Sequence, residues 1–253
     1  MKWPETISIE KARELQKELR KRVRVIPLTR EPRYVAGVDA AFSEDLVYAA
    51  ACLYRYPELT LVEATCAVEK LRFPYVPGFL SFREGHAIIA AIKKLPTKPD
   101  IILVDGQGIA HPREIGIASH LGVLLNISTI GCAKTRLIGE FKEPGGRKGD
   151  WSGLTQEGRI VGAVLRTKDS VRPLFVSPGH KIDLDTAVRI TLDCIGRYRI
   201  PEPLRCADML SKKSKSGPPL YMKGFVKDLH NVWHDVSGKI KRRAHKAGCL
   251  RNF

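Results

Sequence analysis

Ile9, Ala12, Leu15, Gln16 and Leu19 recur at helical spacing near the start of the chain and predict an amphipathic first helix. From Tyr34 to Phe42 the period changes, and the run is small or apolar on both faces apart from Tyr34 and Asp39. Such a run belongs to a central strand covered on both sides. Two more strand-like runs follow at 46–55 and 60–70, separated by Ser43-Glu44-Asp45 and Tyr56-Pro57-Glu58. Connections this short imply antiparallel neighbours. Phe82 to Leu95 reads as a helix with Glu84, Ile88, Ala91 and Leu95 on one stripe. The pattern then predicts a strand at 101–104, a helix from about 113 to 124, and a strand at 127–132. A turn-rich excursion at 145–150 leads to strand-like segments at 159–166 and 172–176, a helix near 183–196 and another from about Pro203. Three antiparallel strands followed by alternating helix and strand predict an α/β fold, with a mixed central sheet flanked by helices.

Three acids break the pattern. Asp39 interrupts a doubly covered strand, Glu84 shares its stripe with Ile88, Ala91 and Leu95, and Asp105 ends the apolar run Ile101-Ile102-Leu103-Val104. An unpaired buried carboxylate is costly or shifts its pKa. Three of them at core-facing positions call either for a Lys or Arg partner each or for a shared cation. Mg²⁺ suits the second arrangement because it prefers carboxylate oxygens and leaves room for waters and a substrate phosphate. Asp105 also opens Asp105-Gly106-Gln107-Gly108-Ile109-Ala110-His111-Pro112-Arg113. The glycines permit close backbone approach, while His111 and Arg113 add a proton-transfer group and a phosphate fork. Asp208 lies four residues after Leu204 on the last predicted helix and is a fourth candidate, with a surface acid as the equal alternative.

Charge narrows the partner. The chain of 253 residues carries 43 Lys and Arg against 27 Asp and Glu, a net charge of +16. Such an excess favours a polyanion, foremost nucleic acid. Cys52, Cys66, Cys132, Cys194, Cys206 and Cys249 show no C-x-x-C spacing, which argues against a zinc site. No secretory leader and no membrane-length apolar run is evident, so a reduced, cytoplasmic setting without a membrane partner is expected.

Several segments together resemble the endonuclease V family. They are Gly37-Val38-Asp39, Phe73-Pro74-Tyr75-Val76-Pro77-Gly78-Phe79-Leu80-Ser81-Phe82-Arg83-Glu84, Asp105 to Arg113, Gly131-Cys132-Ala133-Lys134, Pro173 to His180, and Tyr198 to Asp208. They stand in the family's order over residues from about 8 to 210. Asp-Gly-x-Gly alone is weak, but the Pro-Tyr-x-Pro-Gly…Phe-Arg-Glu segment joined to Asp-Gly-x-Gly-x-x-His-Pro-Arg is highly specific.

The resemblance implies a ribonuclease H-like fold and a Mg²⁺-dependent endonuclease, with Mn²⁺ able to substitute, that acts on deoxyinosine in DNA. It implies a cut at the second phosphodiester 3′ to the lesion, leaving 3′-hydroxyl and 5′-phosphate ends, in DNA repair. Asp39, Asp105 and Glu84 would hold the metal, with Asp208 as a further acid. His111 would orient water or contact phosphate, and Lys134 would stabilise the scissile phosphate as a point charge. Tyr75, stiffened by Pro74 and Pro77, would be the wedge that separates strands. Gly78, Leu80, Gly106, Ile117 and Ala133 would line the pocket for the flipped base, with His180 as a further substrate contact. Inosine in RNA stays open as a second substrate, because 2′-hydroxyl contacts are not legible in one sequence. Two other readings account for less: a resolvase-like nuclease has no use for the Pro-Tyr-x-Pro loop, and a non-cutting inosine binder has no use for three acids.

Residues 1–210 are therefore expected to form the catalytic domain, followed by a basic extension, 211–253. After Asp208, eleven Lys and Arg face two Asp, giving that stretch +9. Ser211 to Pro219 reads as a flexible basic linker, and Phe225, Leu229, Val232, Val236 and Ile240 as a short amphipathic helix. Pro218-Pro219-Leu220-Tyr221 matches a WW-ligand pattern that arises readily by chance. The extension is expected to add salt-sensitive affinity for nucleic acid, and truncation after Met209 or soon after to spare cutting while flattening the salt dependence of binding.

Overall fold

The computed structural model describes residues 7–215. Helix α1 (Ile9–Arg20) starts at Ser8, whose side chain accepts from the backbone N–H of Lys11 and caps the first turn. The chain then lays down β1 (Tyr34–Ser43), β2 (Leu46–Arg55) and β3 (Thr60–Lys70), all antiparallel as their short turns require. Helix α2 (Leu80–Lys93) leads to β4 (Ile101–Val104), and α3 (Ile117–Leu125) to β5 (Ser128–Ala133). Both strands run parallel to β1. An antiparallel set follows, β6 (Trp151–Gln156), β7 (Arg159–Leu165) and β8 (Leu174–His180), and the described chain ends with α4 (Leu184–Asp193) and α5 (Glu202–Lys215). The sheet has eight strands in the order β3-β2-β1-β4-β5-β8-β7-β6. This is the mixed, helix-flanked α/β sheet that the sequence predicts, with β1 an interior strand, third from one edge.

Alternation along the parallel strands separates two cores. Ala36, Val38, Ile102 and Val104 pack under α2 and α3 with Ile88, Ala91, Ile117 and Leu121. Val35, Ile101, Leu103, Ile130 and Cys132 face the other way, against Ala187, Val188 and Ile190 of α4 and Leu204 of α5. Continuing the period of two, Asp39, Asp105 and Lys134 all fall on the α4/α5 face of three adjacent parallel strands, Asp105 and Lys134 just past the ends of β4 and β5 and Asp39 level with them within β1. Helix α5 comes unusually close at Gly37. A Cβ there would stand 2.1 Å from the Pro203 carbonyl carbon, so only glycine lets the helix lie directly on β1.

Four boundaries differ from expectation. Strand β6 was not foreseen. Strand β8 extends through Pro178 and Gly179 to His180, aided by a register shift against Thr129 and Ile130. Helix α3 begins at Ile117, because residues 111–116 turn sharply and Glu114 takes a φ of +50°. Helix α5 runs through Ser211 to Lys215, so the first five residues of the expected linker are helical, with Ser211 and Ser214 buried. The rest of that linker, the WW-like motif and the expected helix at 225–240 lie outside the described residues. No helix among the described residues is long and apolar enough to cross a membrane.

Candidate active site

The sheet edge formed by β1, β4 and β5 gathers the acids. Asp39 follows Val38 and Asp105 follows Val104, and those two valines are register partners on adjacent parallel strands. Glu84 reaches the same place from α2 and is 7 % exposed. Asp208 arrives on α5, where Lys212 Nζ pairs with it at 2.6 Å. Ser211, one turn further along α5, lies 3.1 Å from Asp39 Oδ2 and 3.0 Å from the Asp208 carbonyl oxygen. Its single proton can serve either acceptor.

Burial and mutual repulsion act together on the carboxylates. Burial pushes the Asp39 carboxyl up to about 6, with the Asp105 and Asp208 charges acting the same way and the Ser211 hydroxyl opposing them. Burial, then Asp39 and Asp105, push Glu84 well above the usual carboxylate range. Lys134 Nζ is ion-paired with Asp105 Oδ2. Burial alone would lower the Lys134 pKa, but the bond to Asp105 and the charges of Asp39 and Asp208 raise it overall. The donor chemistry fits a hard divalent cation, being all carboxylate oxygen with two lysines, Lys134 and Lys212, set against four acids. The side chains as placed do not close a ligand shell, since among the described residues no three His, Cys, Asp or Glu groups converge on a metal position.

This crowding predicts an inverted pH dependence of stability. The folded chain holds the Asp39 proton up to about pH 6, whereas the unfolded chain releases it near the ordinary 3.8. Stability from this group therefore falls as pH rises through that window. Without divalent cations, Asp39→Asn is expected to be more stable than the parent chain by on the order of 1–3 kcal/mol near pH 7, the gap shrinking near pH 4.5. Urea unfolding of both proteins at the two pH values measures it, and a gap that grows on acidification would contradict the assignment.

Beside the acids opens a cleft of about 470 Å³, within the range of small-ligand pockets. Tyr75, Pro77, Gly78, Leu80, Gly106, Ile117 and Ala133, all expected to touch substrate, line it together with Asp105, His111 and Lys134. Gly106 keeps it open, because a Cβ there would lie 2.5 Å from Ile117 Cγ2 and 3.9 Å from Leu80 Cδ2. Tyr75 stands at the mouth, 70 % exposed. Its loop is anchored by Phe73 and Phe79, which pack with Phe82 and Ala12.

Three expected contacts are placed otherwise. Pro74 is exposed and is not part of the cleft wall. His180 also lies outside it, paired with Thr129 near the start of β5, where its Nδ1 accepts from the Arg24 backbone N–H at 3.3 Å. Burial and then Lys181, Arg24 and Arg22 push its pKa down to about 4. His111 lines the cleft, but both ring nitrogens are engaged: Nδ1 accepts from the Arg113 N–H at 3.1 Å, and Nε2 bonds to Gly78 O at 3.0 Å. Burial and Arg113 push its pKa down to about 4, and in this arrangement both ring nitrogens are bonded within the protein. Conversely, Gln16, Ser211 and the Thr135-Arg136-Leu137 turn belong to the site and its border without having been foreseen as such.

Residues 17–209 match the endonuclease V family profile. An endonuclease V of Trichormus variabilis is 51 % identical over 212 residues, covering 83 % of this chain and 95 % of that protein. The crystal structure of endonuclease V from Streptomyces avermitilis superposes with a TM-score of 0.80 at 43 % identity, covering 85 % of this chain and 95 % of that one. Ciona intestinalis endonuclease V, solved with a 24mer DNA containing an inosine followed by a ribo-adenosine, gives a TM-score of 0.73 at 32 % identity and covers 82 % and 98 % of the two chains. With sequence and architecture agreeing over nearly the whole length of these relatives, the chain belongs to the endonuclease V family.

Proposed function

We propose that this protein is a Mg²⁺-dependent endonuclease that recognises deoxyinosine, or inosine, in nucleic acid and cuts the second phosphodiester on its 3′ side. The products are 3′-hydroxyl and 5′-phosphate ends, and the role is DNA repair. The observation that carries this reading is a cleft roomy enough for a base that shares Asp105 with a cluster of carboxylates, of which Glu84 is buried and Asp39 half-buried. The inosine-containing DNA held by the Ciona relative supports the choice of base.

Each group of the chain has a part in this reading. Asp39 and Asp105 would hold the cation, and Glu84 a second ion or the attacking water. When bound, a divalent cation offsets phosphate charge and makes water a stronger nucleophile near neutral pH. Lys134 supplies a further positive charge at the cleft wall, where it can exchange Asp105 for a phosphate oxygen. Leu80 and Ile117 provide apolar walls for a purine face, and Gly78, Gly106 and Ala133 leave backbone amides and carbonyls accessible for its edge. Hypoxanthine offers a carbonyl and a ring N–H where adenine has an amine and a bare nitrogen, so backbone polarity can separate them. Tyr75 would fill the gap left by the extruded base.

The deciding assay is cutting of end-labelled inosine strands, DNA and RNA, with Mg²⁺, Mn²⁺ or chelator, mapped against a sequencing ladder. Products that ignore inosine, or form equally in chelator, would sink the reading. A truncation series adds a boundary. A chain ending at Lys215 is expected to keep cutting with a flatter salt dependence of binding. One ending at Met209 is expected to lose most activity, because it removes Ser211 from Asp39 and the buried turn around it. Full activity of the shorter chain would show that α5 past Met209 is dispensable.

A further inference from the structure

The carbonyl of Gly78 closes the Pro-Tyr-Val-Pro-Gly loop and is unusually heavily bonded. Gln16 Nε2 donates to it at 3.0 Å, Arg113 Nη2 at 2.7 Å, and His111 Nε2 at 3.0 Å. A carbonyl oxygen offers two lone pairs, so three donors hold it from every open side. The donors are also tied to one another. Arg113 Nε donates to Gln16 Oε1 at 2.6 Å, and the Arg113 backbone N–H donates to His111 Nδ1. The Arg113 guanidinium lies 4.3 Å from the Phe79 ring centroid, next to Gly78 in the chain. Gln16 and His111 are 1 % and 4 % exposed, so water does not compete for these bonds. One turn beyond Gln16, Arg20 Nε reaches Glu114 Oε2 at 2.7 Å, fixing α1 to the same 111–116 turn.

We infer that Gln16 and Arg113 are positioning residues: with His111 they clamp Gly78 and so set the pitch of Tyr75 over the base cleft. Resting on the reading of Tyr75 as a wedge, the inference assigns α1 a part in opening duplexes. A loop that must push between stacked bases does work only if its base does not yield. The clamp supplies that stiffness at the end nearest the cleft, and Phe73 and Phe79 supply it beneath. Single strands need no such push.

Two measurements on Gln16→Leu test this. Hydrogen exchange of the 73–79 segment, without nucleic acid, is expected to quicken roughly tenfold, the effect of losing the bond from Gln16 to Gly78 and the charge-assisted bond from Arg113 that orients Gln16. The ratio of duplex to single-strand cutting of inosine substrates is expected to fall by a similar factor, roughly tenfold. Arg113→Lys, which keeps the charge and one donor, is expected to show the same two changes in weaker form and serves if Gln16→Leu does not fold. Unchanged exchange, or equal losses on both substrates, overturns the inference. A parent chain that ignores inosine would refute the substrate reading instead, and the exchange result would still decide whether the clamp exists.

Discussion

Asp39→Asn and Asp105→Asn are expected to bind inosine strands nearly as well as the parent chain and to cut them at least about a thousandfold more slowly, since metal assistance is worth several kcal/mol and each 1.36 kcal/mol is tenfold in rate. Binding survives because most of its energy comes from phosphate and base contacts that neither carboxylate makes. The two variants separate chemistry from folding cleanly. Asn at position 39 removes a carboxyl held up near 6 by burial and by the Asp105 and Asp208 charges, so the variant gains stability while losing reactivity. Gel-shift and single-turnover cutting on the same substrate measure both sides, and near-parental cutting by either variant would remove it from the catalytic set.

Tyr75→Ala is expected to weaken duplex recognition by roughly ten- to a hundredfold, the equivalent of about 1–3 kcal/mol of lost base–aromatic stacking. The loss on single strands should be much smaller, because no stack has to be opened there. The side chain has little to lose structurally, standing 70 % exposed at the mouth of the cleft while Phe73 and Phe79 carry the packing of the loop. Comparing Kd for matched duplex and single-strand substrates decides the matter. Equal losses would make Tyr75 a support for the loop.

The same contrast between local and distant contacts explains what the sequence displays. Asp39, Glu84 and Asp105 are legible because each violates a short-range period, and Glu84 does lie on the buried stripe with Ile88 and Ala91. Strand β6 was missed because Trp151-Ser152-Gly153 opens an edge strand, exposed at its first residue and only half-buried at most others, with a weak apolar alternation. Pro178-Gly179 has the composition of a turn, yet both sit in β8 beside an irregularity in the pairing with β5. The basic composition of 211–215 hid a helical turn whose buried members, Ser211 and Ser214, are three apart. Gln16 could be placed on an inward helix face, but its partners Gly78 and Arg113 lie 62 and 97 residues away, a distance no local pattern spans.

The seating of α5 on β1 has a consequence for the life of the chain. Gly37 admits the helix backbone directly onto an interior strand, and the bond from Ser211 to Asp39 joins residues 172 apart. The earliest strand and the latest described helix thus meet at the cluster of acids. During synthesis, Asp39, Glu84 and Asp105 are made well before Asp208. A fragment that ends before α5 is therefore expected to lack both Asp208 and the Ser211 bond to Asp39, and to cut poorly however well its earlier strands fold.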